Sequence, residues 1–425
     1  MQESSSVVVF ISNGPGELAT WVRPLAEKLH TKVFMRPIDG NSAISLRLVL
    51  VPCPNSTGQE IYAAKKWGYF DKIISANKFW KLLIRPKKYG SWPSKGIVVF
   101  LGGDQFWSVL LSARLGYKHL TYAEWVARWP QWNDKIAAMS EKVRERIPNP
   151  YKSRCTVVGD LMADLSSLAK KEAPLPKGKW VALLPGSKKT KLCIGVPFFL
   201  EVADHLTKRL PECKFLLPIA PTTSINEIKE YMSSRNRIAE KYNASIREII
   251  PAQNNNPCPI LITGEGTEIH LHENYPAHDS LSQCNIALTT VGANTAELGA
   301  LGLPMIVIVP TQHLSVMEAW DGFIGLIGRL PILKRCIGLL ISLWRMRHRE
   351  FLAWPNISAG RMIVPEKVGK IKPLEIANET LDWLNYPERL KGQKEDLQSL
   401  RGKPGAIEAM STEVIKLLSK SLLDD

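Results

Sequence analysis

Short apolar runs rich in Val, Ile and Leu alternate with stretches of helical period along most of the chain. The first runs fall at 7–12, 47–53, 71–76 and 96–103, followed by KHLTYAEW from Lys118, DKIAAMS from Asp134 and CTVVGDL from Cys155. Helical spacing predicts helices at about 17–30, 59–67 and 105–115 between them. Runs that are apolar on both faces, each separated from the next by a helix, imply a parallel sheet covered on both sides. The expectation is a Rossmann-like domain over 1–178. After the charged, Pro-bearing stretch KKEAPLPKGK (170–179) the pattern restarts with WVALLPGS, a helix near 196–210, KFLLPIA, a helix near 222–240, PILITGE, EIHLHE, NIALTTV, a helix near 293–301 and PMIVIVP. This predicts a second doubly wound domain over 179–375 with an insert at 311–353. The last segment, 376–425, reads as helices broken by NYPE and GKPG that pack back on the first domain. Ligands of such sheets sit at the carboxyl ends of strands, so an α/β protein of two doubly wound domains facing across a cleft is expected to bind there.

The length of 425 residues suits two or three cores, and 45% hydrophobic with 22% charged residues excludes a disordered polymer. Seven scattered cysteines form no C-x-x-C pair and read as reduced thiols, and the amino terminus lacks a basic region followed by a long apolar stretch. Both features imply a cytoplasmic protein. With 55 Lys and Arg against 40 Asp and Glu the net charge is +15, which favours phosphate ligands, anionic lipid or nucleic acid without choosing among them.

Candidate chemistry lies where strands end. The first strand runs into Ser12-Asn13-Gly14-Pro15-Gly16-Glu17, where Gly14 and Gly16 let backbone approach a ligand or simply make a tight turn. Pro185-Gly186-Ser187-Lys188, helped by Lys189 and Lys191, offers N–H groups, a hydroxyl and ammonium groups suited to a diphosphate, or else forms a solvated basic loop. The nucleotide P-loop pattern is absent. Gly292-Ala293-Asn294-Thr295-Ala296-Glu297 follows another strand, and Glu297 could accept hydrogen bonds from a ribose diol or merely stabilise a helix start. Asp104, after Gly102-Gly103, is a candidate general base or an ordinary helix cap. Glu268, His270 and His272 share one strand face, yet their spacing completes no recognisable metal shell, so no metal is expected.

Together these segments resemble lipid-A-disaccharide synthases, glycosyltransferases of the GT-B fold that use a UDP-sugar donor and a lipid-linked acceptor. The likeness is carried by VALLPGSKKTK, by IALTTVGANTAELGALGLPMIVIV and most specifically by the P-N-I-S-A-G-R run from Pro355 to Arg361. Weaker likeness covers GDQFWSVLLSARLG, YAEWVARW and VVGDLMAD. The resemblance implies a donor diphosphate loop at Gly186, Ser187 and Lys188 with Gly292, a ribose acid at Glu297, donor and phosphate contacts at Asn356 and Arg361, a catalytic carboxylate at Asp104 and an acceptor side at Gly14 and Gly16. Glu17, where the family has Asp, is the reserve base. Three departures stand out: Lys188 replaces an Arg, Val291-Gly292-Ala293 replaces Ser-Gly-Thr, and Gly159-Asp160 replaces Gly-His. They imply a related transferase with its own donor and acceptor, and motifs of this kind encode neither the sugar nor an oligomeric state.

Between Gly322 and Arg349 six Lys and Arg and no acid are interleaved with apolar side chains. Phe323, Arg329, Lys334, Arg335 and Trp344 are expected to touch an anionic membrane peripherally, because the cations interrupt the apolar run before the roughly 20 residues a span requires. Residues 77–95, with Phe79 and Trp80, repeat that chemistry. No nucleic-acid motif accompanies the charge, so none is expected as partner. The function implied is transfer of a sugar from UDP to a lipid or lipid-linked acceptor on the inner face of a membrane, with inversion, with UDP-sugar as substrate and no cofactor. The alternatives are a nucleotide-sugar epimerase or hydrolase of the same fold, or a non-catalytic membrane-bound sensor.

Overall fold

The computed structural model describes residues 6–35, 44–52, 60–169, 175–221, 223–233, 235–253, 258–313 and 351–423. The chain divides into two units, one formed by Met1–Leu168 with Arg401–Asp425 and the other by Ala169–Leu400.

Among the described residues the first unit holds a seven-stranded sheet in the order β3-β2-β1-β4-β5-β6-β7. Its strands are β1 (Ser6–Ser12), β2 (Ile44–Leu50), β3 (Lys72–Ile74), β4 (Lys95–Phe100), β5 (Lys118–Ala123), β6 (Lys135–Ala138) and β7 (Cys155–Val157). All neighbours pair in parallel, with Val8 opposite Ile97 and Phe10 opposite Leu48. The strands alternate faces, so Val8, Phe10, Ile97 and Leu120 point one way while Val7, Val9 and Val98 point the other. The second face is covered by Phe79, Leu82 and Leu111. On the first face lies the helix Ala406–Leu423, whose Ile407, Met410, Val414, Leu417 and Leu418 recur at helical spacing and are buried among the sheet residues. Each such side chain contributes about 1.5–3 kcal/mol.

Polar ties fix this last helix. Asp164 accepts hydrogen bonds from the N–H groups of Gly405 and Ile407. Asp160 pairs with Arg401 at 2.8 Å, both side chains less than 10% exposed. Lys28 and Lys32 both meet Glu408.

The second unit carries an eight-stranded sheet among the described residues, in the order β10-β11-β12-β9-β8-β13-β14-β15. Its strands are β8 (Lys179–Leu184), β9 (Cys213–Pro218), β10 (Ile246–Ile250), β11 (Ile260–Thr263), β12 (Glu268–His272), β13 (Ile286–Thr289), β14 (Met305–Pro310) and β15 (Glu366–Gly369). This sheet is parallel from β12 to β15, but β10, β11 and β12 pair antiparallel. The reason is loop length. The short turn from Gly264 to Thr267, closed by Thr263 N–H donating to the Thr267 carbonyl at 3.0 Å, cannot hold the crossover that a parallel pair requires.

The tail divides instead of packing as a whole on the first domain. Helix Pro373–Asn385 buries Ile376, Ala377 and Trp383 in the second unit's core, and the chain joins the first unit only at Arg401. The segment expected as one helix near 222–240 is two, Ile225–Tyr231 and Arg237–Lys241. Among the described residues no helix is long and apolar enough to cross a membrane.

Candidate functional site

The chain order changes direction between β1 and β4 in the first sheet and, beside its first strand β8, between β8 and β13 in the second. There, neighbouring connections leave on opposite faces and open a crevice beyond the strand ends. The turns singled out in the sequence follow these four strands.

In the first unit, β1 ends in the Asn13–Gly14 turn and opens a helix made of Pro15–Glu17, a π-helical turn Leu18–Val22 and Arg23–Met35. Glu17 folds back over Gly14, where a Cβ would come within 2.6 Å of its Oε2. Gly14 therefore makes room for a carboxylate, whereas a Cβ on Gly16 would meet nothing within 4 Å. Strand β4 ends in Gly102-Gly103-Asp104, with Gly103 at φ +98° and its Cβ position 2.8 Å from Val51 Cγ2. Asp104 caps the helix Gln105–Leu115 by accepting from Phe106 N–H at 2.9 Å, and its other oxygen lies 3.5 Å from Arg128 Nη1.

These elements enclose a cavity of about 440 Å³ lined by Glu17, Trp21, Asp104, Tyr122, Glu124 and Arg128, among others. Glu124 follows the end of β5 and was not marked by the sequence reading. Burial pushes its carboxyl up to about 7, the negative charges of Asp160 and Glu17 add to the rise, and Arg401 opposes it. Glu17 is likewise raised by burial. Carboxyls of this kind hold or release a proton near neutrality, as acid–base chemistry requires.

Beside the cavity runs a line of aromatic rings. Trp80 meets Trp107 at 5.1 Å, Trp107 meets Phe106 at 5.8 Å, Phe106 meets Trp129 at 6.0 Å, and Trp129 stacks on Trp132 at 5.2 Å. Trp80 is 53% exposed and Ile84 69%, among exposed Lys78, Lys81, Arg85, Lys87 and Lys88. Phe79 differs from expectation. It is fully buried against β1 and β4, because helix Phe79–Ile84 turns residues 79 and 82 inward and 80 and 84 outward. Phe323, Arg329, Lys334, Arg335 and Trp344 lie outside the described residues.

In the second unit, β8 leads through Pro185-Gly186-Ser187 into the helix Lys189–Thr207, which starts seven residues before the expected position because its first turn is polar. Gly186 has φ +104°, and a Cβ there would lie 3.0 Å from Lys191 Cδ. Close packing of Gly195 on Pro185 holds the turn down. Ser187 and Lys188 are exposed. No side chain caps this helix or the helix Ala293–Leu301 that follows Gly292 after β13. Two helix starts, whose first N–H groups lack intrahelical acceptors, thus flank the switch point and suit an anion. Lys191 joins the turns: its Nζ donates to the Val291 carbonyl at 2.8 Å and lies 3.6 Å from the Cβ position of Gly292. Burial, then repulsion from Lys188, lowers its ammonium to about 8.

Glu297 is held by buried His278, with Nε2 2.6 Å from Oε1. Sequence reading missed this histidine, which lies 19 residues away on another helix. Asn356 is corrected. It is fully buried, its Oδ1 accepts from Ile363 and Val364 N–H, and its Nδ2 donates to the Val364 carbonyl and Glu366. An amide spent in this way shapes a turn and has nothing left for a donor. Arg361 is exposed and paired with Asp396 at 2.8 Å. His270 lies edge-on to Trp180 and His272 beside Ser280, and among the described residues no group of three or more metal-ligating side chains converges.

Fold and turns together define two Rossmann-like units of the GT-B class. In overall structure the chain is similar to the S. aureus MnaA–UDP co-structure (TM-score 0.52, 12% identity, 98% of this chain and 97% of that one). It is also similar to a UDP-N-acetylglucosamine 2-epimerase (TM-score 0.50, 13% identity, 100% and 98%). No family model matches the chain.

By sequence it is a relative of the lipid-A-disaccharide synthases. It is 28% identical over 293 residues to that of Sulfurihydrogenibium sp. (strain YO3AOP1), covering 65% of this chain and 63% of the relative. It is 31% identical over 245 residues to that of Syntrophus aciditrophicus, covering 57% and 50%. The matches thus span less than two thirds of the length of these curated relatives.

Proposed function

We propose that the chain is a glycosyltransferase that moves a sugar from a UDP-sugar to a hydroxyl of a lipid or lipid-linked acceptor, with inversion, as a peripheral protein on an anionic membrane face. The observation that carries the donor half is the pair of glycine turns at the second sheet's switch point, each opening an uncapped helix, with Lys191 between them. Such an arrangement stabilises a departing diphosphate through N–H groups and the ammonium groups of Lys188 and Lys191, so the reaction needs no obligatory metal. Glu297, oriented by His278, would accept hydrogen bonds from the ribose. Acceptor binding falls to the carboxylate-lined cavity of the first unit, and the aromatic line beside it suits a lipid body.

Incubating the protein with labelled nucleotide sugars and total membrane lipid tests this. Transfer to lipid is expected; isomerised or hydrolysed donor without transfer would replace the reading by an epimerase or hydrolase, and binding without turnover by a sensor. Glu297→Ala should weaken UDP by about 1–3 kcal/mol in calorimetry, and unchanged affinity would remove it from the site. The protein should sediment with anionic vesicles at low salt and be released at high salt, since attraction between lysines and headgroups decays over about 8 Å at physiological salt. Binding that salt leaves unchanged would exclude the electrostatic mode.

A further inference from the structure

We infer that Glu124, not Asp104, removes the proton from the acceptor hydroxyl. This rests on the transferase reading above and concerns the same cavity. Asp104 has both carboxylate oxygens engaged, one by the Phe106 N–H and the other by Arg128, so taking up a proton there would break a helix cap or an ion pair. Glu17 is folded over Gly14 in the first turn of its own helix. Glu124 lines the same cavity from the end of strand β5, beside the central strand β4, and belongs to no regular element.

The charged and titratable groups around it come from four places. Glu17 stands on the helix after β1, Tyr122 on β5, Asp160 on the turn after β7 and Arg401 at the start of the returning tail. Asp104 and Arg128 line the cavity's remaining wall. The sum is an environment in which a carboxylate can form yet still gains from protonation, because burial and two acidic neighbours are only partly offset by one guanidinium and a hydrogen bond from the Trp125 side chain. Asp160 and Arg401 do not touch the cavity lining and act by positioning and charge.

In the step itself the acceptor hydroxyl oxygen forms a bond to the anomeric carbon while its proton passes to Glu124. The bond from that carbon to the diphosphate oxygen breaks, and its electron pair leaves with the nucleoside diphosphate. The carboxylate form is required, so the rate should fall about tenfold per pH unit below roughly pH 7.

The test compares pH–rate profiles of wild type, Glu124→Gln and Asp104→Asn with a UDP-sugar and lipid acceptor, together with carbon-13 NMR titration of the carboxyl groups. Expected are a Glu124 carboxyl resonance, assigned as the one lost in Glu124→Gln and so told apart from Glu201, that titrates near pH 7 in wild type, loss of the acid limb in that variant, and about a 100-fold fall in its kcat at pH 8. Asp104→Asn should keep the limb. An unchanged profile in Glu124→Gln overturns the inference, as does a limb that disappears only in Asp104→Asn, or an assigned Glu124 resonance that titrates in the ordinary carboxylate range. Turnover that yields free or isomerised sugar and never a glycosylated lipid would instead sink the transferase reading, and the acceptor-proton role with it.

Discussion

Arg401→Ala should destabilise the first unit by about 3–5 kcal/mol, measured as a shift of its urea or thermal transition. The Arg401–Asp160 pair is buried on both sides, and removing the cation leaves Asp160 in a low-dielectric setting beside Glu124 and Tyr122. Lost attraction is the smaller part; the larger is the desolvation of a carboxylate left with only the Met162 N–H as a partner. Arg401 also holds the Glu124 pKa down, so any turnover the variant retains should show its acid limb moved to higher pH. Replacing both partners, with Arg401→Met and Asp160→Asn, which keeps an acceptor for the Met162 N–H, should recover much of the stability. A single variant as stable as wild type would show that the pair carries no weight.

The second large effect is expected at Asn356. Its side chain makes four hydrogen bonds within the second unit, to two N–H groups, one carbonyl and one carboxylate, while Glu366 also accepts from Leu352 and Ala353 N–H. Asn356→Ala takes this partner from the buried Ile363 and Val364 N–H groups and the Val364 carbonyl, and a loss of about 3–4 kcal/mol is expected by urea unfolding. Asn356→Asp keeps the acceptor but sets a second carboxylate against Glu366, so it should be no better. A variant of wild-type stability with no affinity for UDP would return Asn356 to the role its motif suggests.

The contrast between these residues shows what a sequence can carry. Turns at Gly186, Gly292 and Gly103 were legible because an apolar run, a glycine and a new helical period follow one another within about ten residues. The two strands that escaped, β10 and β15, are the outer edges of their sheet, and their partly exposed, polar sequences IREII and EKVG show no apolar run. Glu124 escaped for a different reason. Its chemistry comes from Glu17, Asp160 and Arg401, which are distant along the chain, and its own neighbours YAEW look like the end of any strand. Asn356 matched a specific motif, yet its burial is decided by residues 363–366, which a motif of seven residues does not contain. Phe79 was within reach: helical spacing already separates 79 and 82 from 80 and 84.

The closing of the first sheet by residues 406–423 sets an order for biosynthesis. The second unit is continuous, from Ala169 to Leu400, and all of it is synthesised before the helix that helps cover Val8, Phe10, Ile97 and Leu120. Until then that apolar sheet face, which Leu18, Val22, Leu25 and Leu29 also pack, lacks the last part of its cover. The first unit can therefore finish its core only once residues beyond the whole second unit have been made, a departure from maturation in order from the amino terminus. During that interval the nascent protein is a client for chaperones, and a ribosome stalled anywhere between residues 170 and 400 would leave a sticky half-built sheet behind.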